Sequence, residues 1–443
     1  MGMLLPAERA FAAINIQEYA VPASNNPLGI TTGPDGNLWF TADGGNKVYK
    51  LTTGGTFTGY TIPTASATPF GIAAGPDGNM WVTENSGNKI AKVTTGGTIT
   101  EYAIPTTSAF AQGIVAGSDG NMWFVESNTN KVGKITTGGT ITEYSVPSAA
   151  GYPEDITAGP DGNLWVTEGN MNKIAKVTTS GVFTEYTVPT NSARPIGIAK
   201  GSDGNLWFAE RDANKIGKVT TSGVITEYTI PTATSNPYGI APGPDGNMWF
   251  VENVGKIGRI TTSGVITEYT IPTASSSPQW NLVQGPDGNM WFTEHATSKI
   301  GVVQLLKPTA SNKTANVVTG NSITVNVLSD ATNNPNPATV TIDVAPQHGT
   351  ATVNTTTGAI TYVPTSGYTG TDSLSFIVCS LDDSGLCSAD PTITFTVASS
   401  TPSAPNTGFG VALLSPWRDV LLYGAGATAL LAISFTVRKR ARR

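Results

Sequence analysis

Carboxylates and aromatic rings carry most of the chemistry in this sequence, because histidine occurs only at His295 and His348. Two separate histidines restrict imidazole catalysis and histidine metal sites. Six glutamates recur at one spacing, Glu84, Glu126, Glu168, Glu210, Glu252 and Glu294, with Ala42 in a seventh equivalent place. A lysine follows each place: Lys47, Lys89, Lys131, Lys173, Lys215, Lys256 and Lys299. Facing one another across strands, Glu and Lys would form an ion pair worth ~0.2–1 kcal/mol. Facing a channel, the carboxylates would instead hold a cation. Recurrence beside a lysine favours the ion pair. His295 adjoins Glu294 and falls in a surface turn, and His348 also reads as a turn residue.

A second set of residues matters because it varies. Leu28, Phe70, Gln112, Glu154, Ile196, Tyr238 and Trp280 occupy one repeated position. Beside them stand Asp155, where most copies have Gly, Arg194, and Gln279, which arrives with a one-residue insertion. Phe70, Gln112, Glu154, Asp155, Arg194, Tyr238, Gln279 and Trp280 are therefore the candidate ligand-binding residues. Aromatic, acidic and amide groups together suit a ligand with apolar and polar parts. Side chains that merely cap a channel would vary in the same way.

These residues sit on a repeat. Trp39, Trp81, Trp123, Trp165, Trp207, Trp249 and Trp291 are each 42 residues apart. Each follows a Gly-x-Asp-Gly-Asn turn, and Asp-Gly predicts a two-residue hairpin with both central residues at positive φ. A Thr-Thr-Gly/Ser-Gly turn comes later in each unit, at 52–55 for example. Each unit thus reads as four short strands, A to D: GIAAG, NMWVTE, KIAKV and TITEYAIP. Four strands per ~42 residues is a propeller blade. The last unit lacks strand D, and IQEYAVP at 16–22 is an unpaired strand D at the start. The expected fold is all-β: a seven-bladed β-propeller over 16–305, closed by strand 16–22 and monomeric. Its invariant turns lie on one face and its variable D–A and B–C connections on the other, so the site belongs at the variable mouth of the channel.

The remaining chain divides further. Residues 306–318 read as a linker, and 319–398 as a β-sandwich of short alternating strands resembling bacterial Ig-like or cadherin-like modules. Asp330 and Asp372 stand apart, which assigns no metal there. Cys379 and Cys387 flank a turn, forming a hairpin disulfide in an oxidising compartment or two buried thiols otherwise. Residues 399–419 form a linker in which Pro405, Thr407 and Gly408 resemble a sortase signal with Ala404 in place of Leu. The stretch 420–437 is eighteen uncharged residues, long enough for a transmembrane helix. Five basic residues follow within 438–443, a cytoplasmic tail by the positive-inside rule. Residues 1–15 contain Ala10-Phe11-Ala12, a signal-cleavage pattern, so the mature chain is expected to begin near Ala13. Together these features place the ectodomain at the cell surface, wall- or membrane-anchored. The net charge is -6, and setting aside the five basic residues of the tail leaves -6 - 5 = -11 on the remainder. That acidic body excludes nucleic acid as a partner.

The G-x-D-G-N-[LM]-W and I-T-E-Y-T-[IV]-P runs resemble the streptogramin B (virginiamycin B) lyase family over about two-thirds of the chain. The resemblance implies a seven-bladed propeller that opens a cyclic depsipeptide by Mg-dependent elimination. It implies a Tyr where this sequence has Leu28, His at the positions of Tyr238 and Trp280, and Glu at that of Pro278. Only Glu294 matches, as a catalytic or Mg-binding carboxylate. Leu and Trp cannot transfer protons and Pro cannot bind Mg. The expected function is therefore a surface-anchored binding or adhesion protein that needs no cofactor. Its ligand would be an extracellular glycan, peptide or host or wall protein. The alternative is a Mg-dependent carbon–oxygen lyase acting on a cyclic depsipeptide or glycan.

Overall fold

The computed structural model describes residues 14–305, 307–333, 335–380 and 386–400. Among these, seven four-stranded antiparallel sheets follow one another between residues 15 and 304. Strand A of each sheet contacts strand A of the next, and Pro278–Gln284 returns to Pro27–Thr32, giving a closed, propeller-like ring. The last sheet takes its outer strand from the N-terminus. Asn15–Ala20 pairs antiparallel with Lys299–Gln304, Ile16 opposite Val303. An antiparallel sheet lacking its fourth strand would expose unpaired backbone, and this strand covers it.

The tryptophans hold adjacent sheets together. All seven are buried, and each Nε1–H donates to the Asp of its own Gly-x-Asp-Gly turn, as Trp81 does to Asp77 at 3.0 Å. Trp39 packs among Ile72, Met80 and Val82 of the following sheet. In six sheets side chains opposite one another on strands B and C compensate in volume, whereas in the first Phe40 faces Tyr49 and the rings stack. Phe124, Phe208, Phe250 and Phe292 face Gly133, Gly217, Gly258 and Gly301, whereas Val82 and Val166 face Ala91 and Ala175. A Cβ on Gly133 would come within 2.1 Å of the Phe124 ring. Close packing forces this reciprocity.

The hairpin differs from the expected two-residue turn. In 33–37 only Gly36 has positive φ, at 70°, while Gly36 N–H donates to the Gly33 carbonyl and Gly33 N–H to that of Asn37. The same wider turn with one left-handed Gly forms where Ser118 or Ser202 replaces the proline, and the Asp is kept at negative φ with its carboxylate accepting from the following Asn N–H and the Trp.

The expected Glu–Lys ion pairs across strands B and C are not what forms. Lys89 lies opposite Glu84 in register, yet its Nζ bonds Glu101 of strand D at 2.8 Å and Thr64 Oγ1 at 2.6 Å. Glu101 also accepts from the Thr64 N–H and hydroxyl. The D-to-A loop is thereby clamped onto the following sheet. The same clamp recurs around Glu143, Glu185, Glu227 and Glu268, and finally Glu18, which accepts from Thr273 and Lys299. Lys follows the carboxylate that the loop also needs, and Glu84 is left without it.

Residues 313–398 fold as a β-sandwich. One sheet orders Lys313–Val318, Thr392–Ala398, Gly370–Ile377 and Thr341–Val344, and the other Ile323–Val325, Ile360–Pro364 and Gly349–Val353. The segment expected to be a linker to residue 318 therefore supplies a strand, which pairs in parallel with Thr392–Ala398. Its apolar positions Ala315 and Val317 join a core containing Tyr362, Phe376 and Phe395. Asp372 is buried and satisfied by the Gln347 and His348 N–H groups and the Tyr362 hydroxyl. Cys379 and Cys387 are joined as a disulfide. Among the described residues no helix is long and apolar enough to cross a membrane, and no group of three or more acidic, His or Cys side chains gathers to hold a metal. The signal-cleavage pattern, Pro405, Thr407, Gly408 and the 420–437 stretch lie outside the described residues.

Candidate functional site

Strand A sets the mouth of the ring. A register shift after its first residue, for instance between Pro69 and Ile72, turns the variable side chain out of the regular ladder and toward the channel. The residue before strand A has positive φ in six sheets: Thr68, Phe110, Tyr152, Arg194, Asn236 and Ser277. Hydrogen bonds hold this unfavourable conformation, such as Arg211 N–H to the Arg194 carbonyl.

A cavity opens there, lined by Phe70, Glu154, Asp155, Ile196, Tyr238, Trp280 and Asn281, with glycines and isoleucines between them. Five of the eight candidate residues thus meet. Arg194 stands beside them, its Nε and Nη2 donating to Glu154 Oε1 at 3.2 and 3.1 Å. Gln112 is buried but does not line the cavity. Gln279 turns aside, its Nε2 donating to Ser277 at 2.9 Å.

The inserted Gln279 has a second effect. It leaves Trp280 at φ 69°, a left-handed conformation that no other residue at this repeated position adopts. The indole consequently lies between rings from the sixth and second sheets. Its centroid is 5.3 Å from Tyr238 and 4.6 Å from Phe70, both edge-on. Arg211 covers the Tyr238 ring, 4.8 Å from its centroid.

The acidic side of the cavity is Glu154 and Asp155. Burial raises the Glu154 carboxyl, and Arg194 opposes that rise. Asp155 is pushed up to about 7 by burial, against hydrogen bonds from the Ile198 and Ile156 N–H groups. Its column holds Gly in five sheets, and there a Cβ would collide with the next strand, 2.3 Å from the Gln112 carbonyl at Gly71. Asn281 is the other exception. Its Oδ1 accepts from the following N–H at 3.0 Å, as that of Asp155 does at 2.9 Å. Sequence reasoning overlooked Asn281, although the same departure from Gly marks it. Arg211 carried no comparable signal.

Glu294 lies elsewhere. It is fully buried at the end of strand B, accepts from Thr297 Oγ1 at 2.9 Å, and repeats the setting of Glu84, Glu126, Glu168, Glu210 and Glu252. Burial raises all six, to about 7 at Glu126 and Glu294 and about 8 at the others, with the strand-D carboxylate next to each adding to the effect. Glu126 and Glu294 have the extra bond from Thr129 or Thr297, which offsets part of the rise. Leu28 is buried and Pro278 starts strand A.

Mg requires several oxygen ligands in near-octahedral array. Both Asp155 oxygens accept backbone N–H bonds, Glu154 is engaged by Arg194, and Pro278 supplies no ligand. The residues at this mouth do not fit that ion.

Residues 8–153 and 131–322 match the Virginiamycin B lyase family, and residues 306–397 match the bacterial Ig domain. A solved streptogramin B lyase is 38% identical over 68% of this chain and 100% of its own, with a TM-score of 0.65. Virginiamycin B lyase from Staphylococcus aureus is 39% identical over 66% of this chain and 100% of its own, with a TM-score of 0.64. A catalytically inactive histidine-to-alanine variant of that enzyme, solved with quinupristin, is 38% identical over the same shares, with a TM-score of 0.64. No curated protein matches the chain.

Proposed function

The chain belongs to the virginiamycin B lyase family, and from that premise we propose that its seven sheets are the blades of a propeller that binds a ligand at its mouth without cleaving it. The observation that carries this reading is the ring cluster at Trp280. Tyr238 and Trp280 stand where the family resemblance puts histidines, and with Phe70 they fill the mouth with aromatic surface. General acid–base catalysis needs a titratable group within reach of the reacting proton. An indole cannot serve. Aromatic walls with a few polar groups are what a binding cavity needs.

Anchoring at the surface is the second part of the proposal. It draws on the sortase-like Ala404–Gly408, the apolar 420–437 stretch and the basic end. The Cys379–Cys387 disulfide accords with an oxidising exterior. The Ig-like domain would then present the propeller to an extracellular glycan, peptide or protein. Protease shaving of intact cells tests this, and recovery of the full chain only from cytosol would sink it.

One observation favours a second reading, a carbon–oxygen lyase. Asp155, pushed up to about 7, has the proton affinity of a general acid or base. Incubating the protein with quinupristin and Mg, followed by mass spectrometry, separates the two. We expect intact quinupristin. A linear product whose formation stops in Glu294→Ala or Asp155→Asn would replace the binding reading with the lyase.

A further inference from the structure

We propose, building on the binding reading above, that the mouth selects an organic cation: an ammonium group held at Asp155 and an apolar body laid against Phe70, Tyr238 and Trp280. The argument begins with the polar lining. Glu154, Asp155, Asn281 and the Tyr238 hydroxyl are its polar side chains, and no basic residue is among the lining. Arg194 meets Glu154 from the rim, so that carboxylate has its counter-charge. Asp155 has none. Its bonds come from the Ile156 and Ile198 N–H groups, and the charged neighbour acting on it is Glu154.

The comparison with Asn281 shows what Asp155 adds. Both replace the glycine of the same column, and both use Oδ1 to accept the next backbone N–H. A neutral amide performs that structural task in the seventh sheet. Asp155 goes further, its Oδ2 also accepting the Ile198 N–H of the next sheet at 3.1 Å, and two backbone N–H groups still leave its charge without a cation, which is costly away from water. A ligand cation removes that cost. Aromatic faces reinforce the choice, since ring quadrupoles attract ammonium groups within about 6 Å. Tyr238 already demonstrates it with Arg211, whose guanidinium carbon lies 4.8 Å from the ring centroid.

Proton linkage follows from the same geometry. The charged and titratable groups around the pair are Arg194, Arg211, Asp212 and Tyr238, and these act on Glu154. Asp155, held near 7, is protonated below that pH and then offers no charge. Cation affinity should rise as pH passes upward through about 7.

Isothermal titration of the whole protein with phenethylammonium, 2-phenylethanol and phenylacetate tests the proposal. At pH 8 the cation should bind about ten-fold tighter than the alcohol, the scale of one buried cation–π or ion-pair contact. Asp155→Asn, which keeps the Ile156 bond as Asn281 does and gives up the one from Ile198, should reduce the cation to the level of the alcohol while the alcohol keeps its wild-type affinity, the sign that the mouth is intact. Wild-type preference for the cation should also shrink at pH 5.5. Phenylacetate or the alcohol binding as tightly as the cation, or full cation affinity in Asp155→Asn, overturns the ligand class. If those neutral or anionic probes still lose binding in Trp280→Ala, the mouth remains a binding site and only the class is wrong. No binding of any probe, in wild type or Trp280→Ala, removes both proposals.

Discussion

Glu84 and Asp155 are carboxyls set inside the same ring, and burial raises both, to about 8 and about 7. Glu84 has five equivalents and Asp155 has none. Each copy of the glutamate sits beside a strand-D carboxylate and a lysine that stays with that carboxylate. Neither Oε of Glu84 finds a donor, so at neutral pH the group is at rest as the acid, its proton directed at Glu101. The first sheet supports this pairing by omission. There Ala42 and Gly59 replace both acids at once, and the Tyr49 ring occupies the space, with its hydroxyl bonded by Asn25 at 2.7 Å. A pair that is lost together is a structural unit. Asp155 lacks such a partner, and its charge faces a cavity. Repetition marks the scaffold, and the departure from repetition marks the site.

The heaviest blow to the scaffold side is removal of 14–20. Glu18 supplies the last clamp and Tyr19 stacks on Trp291 at 5.6 Å, so the deletion leaves a buried Trp bare and a sheet edge unpaired. We expect aggregation or a melting temperature lower by about 15 °C or more, read by calorimetry. A melt close to wild type would mean the ring closes by other contacts.

Next in size is the response to alkali. The strand-B glutamates have folded pKa values above the unfolded one. Their contribution is complete below about 4.5 and is lost as pH rises through 7 to 8. Glu18, Glu101, Glu143, Glu185 and Glu227 run the opposite way. Burial works against them, but bonds from Lys and Thr or Ser hold them below the usual range, so their contribution fades in acid. The melting temperature should peak between the two limbs and drop by about 10 °C toward pH 9. A flat profile from pH 6 to 9 would show that the buried acids are not coupled as described.

Gly71→Ala sharpens the column that Asp155 and Asn281 escape. Its Cβ would meet a backbone carbonyl that cannot swing away, costing about 2 kcal/mol or more in chemical denaturation. Smaller still, Glu84→Gln replaces the required proton with an amide donor. It should stabilise by about 1 kcal/mol at pH 9 and change little at pH 5. Equal effects at both pH values would contradict a protonated Glu84.

Much of this was legible beforehand. The Gly-x-Asp-Gly turns and the Trp every 42 residues act through neighbouring residues, and counting the repeats exposed the orphan strand at the start, which pairs across the ring with Lys299–Gln304. The Glu–Lys pairing was misread for a specific reason. Register placed Glu84 opposite Lys89, and nothing in the sequence ranked that partner against Glu101. Both Ala42 and Gly59 stood in plain view, but their joint loss has meaning only once strands B and D are known to lie on one face. The mouth was half legible. Variation pointed to Phe70, Glu154, Asp155, Tyr238 and Trp280, but gave Gln112 and Gln279 equal weight.

By itself the sequence determined the four-stranded unit and the places of its turns, because turn chemistry and alternation are set within a few residues, and the count of repeats identified the strand that completes the last sheet. Only the tertiary structure decided which carboxylate Lys89 takes, where Trp280 points and that Asp155 has no counter-charge. Those outcomes join groups 25 residues apart at Lys89 and Thr64, 40 at Arg194 and Glu154, and 281 at Lys299 and Glu18, and packing between sheets selects among partners that local pattern leaves equivalent.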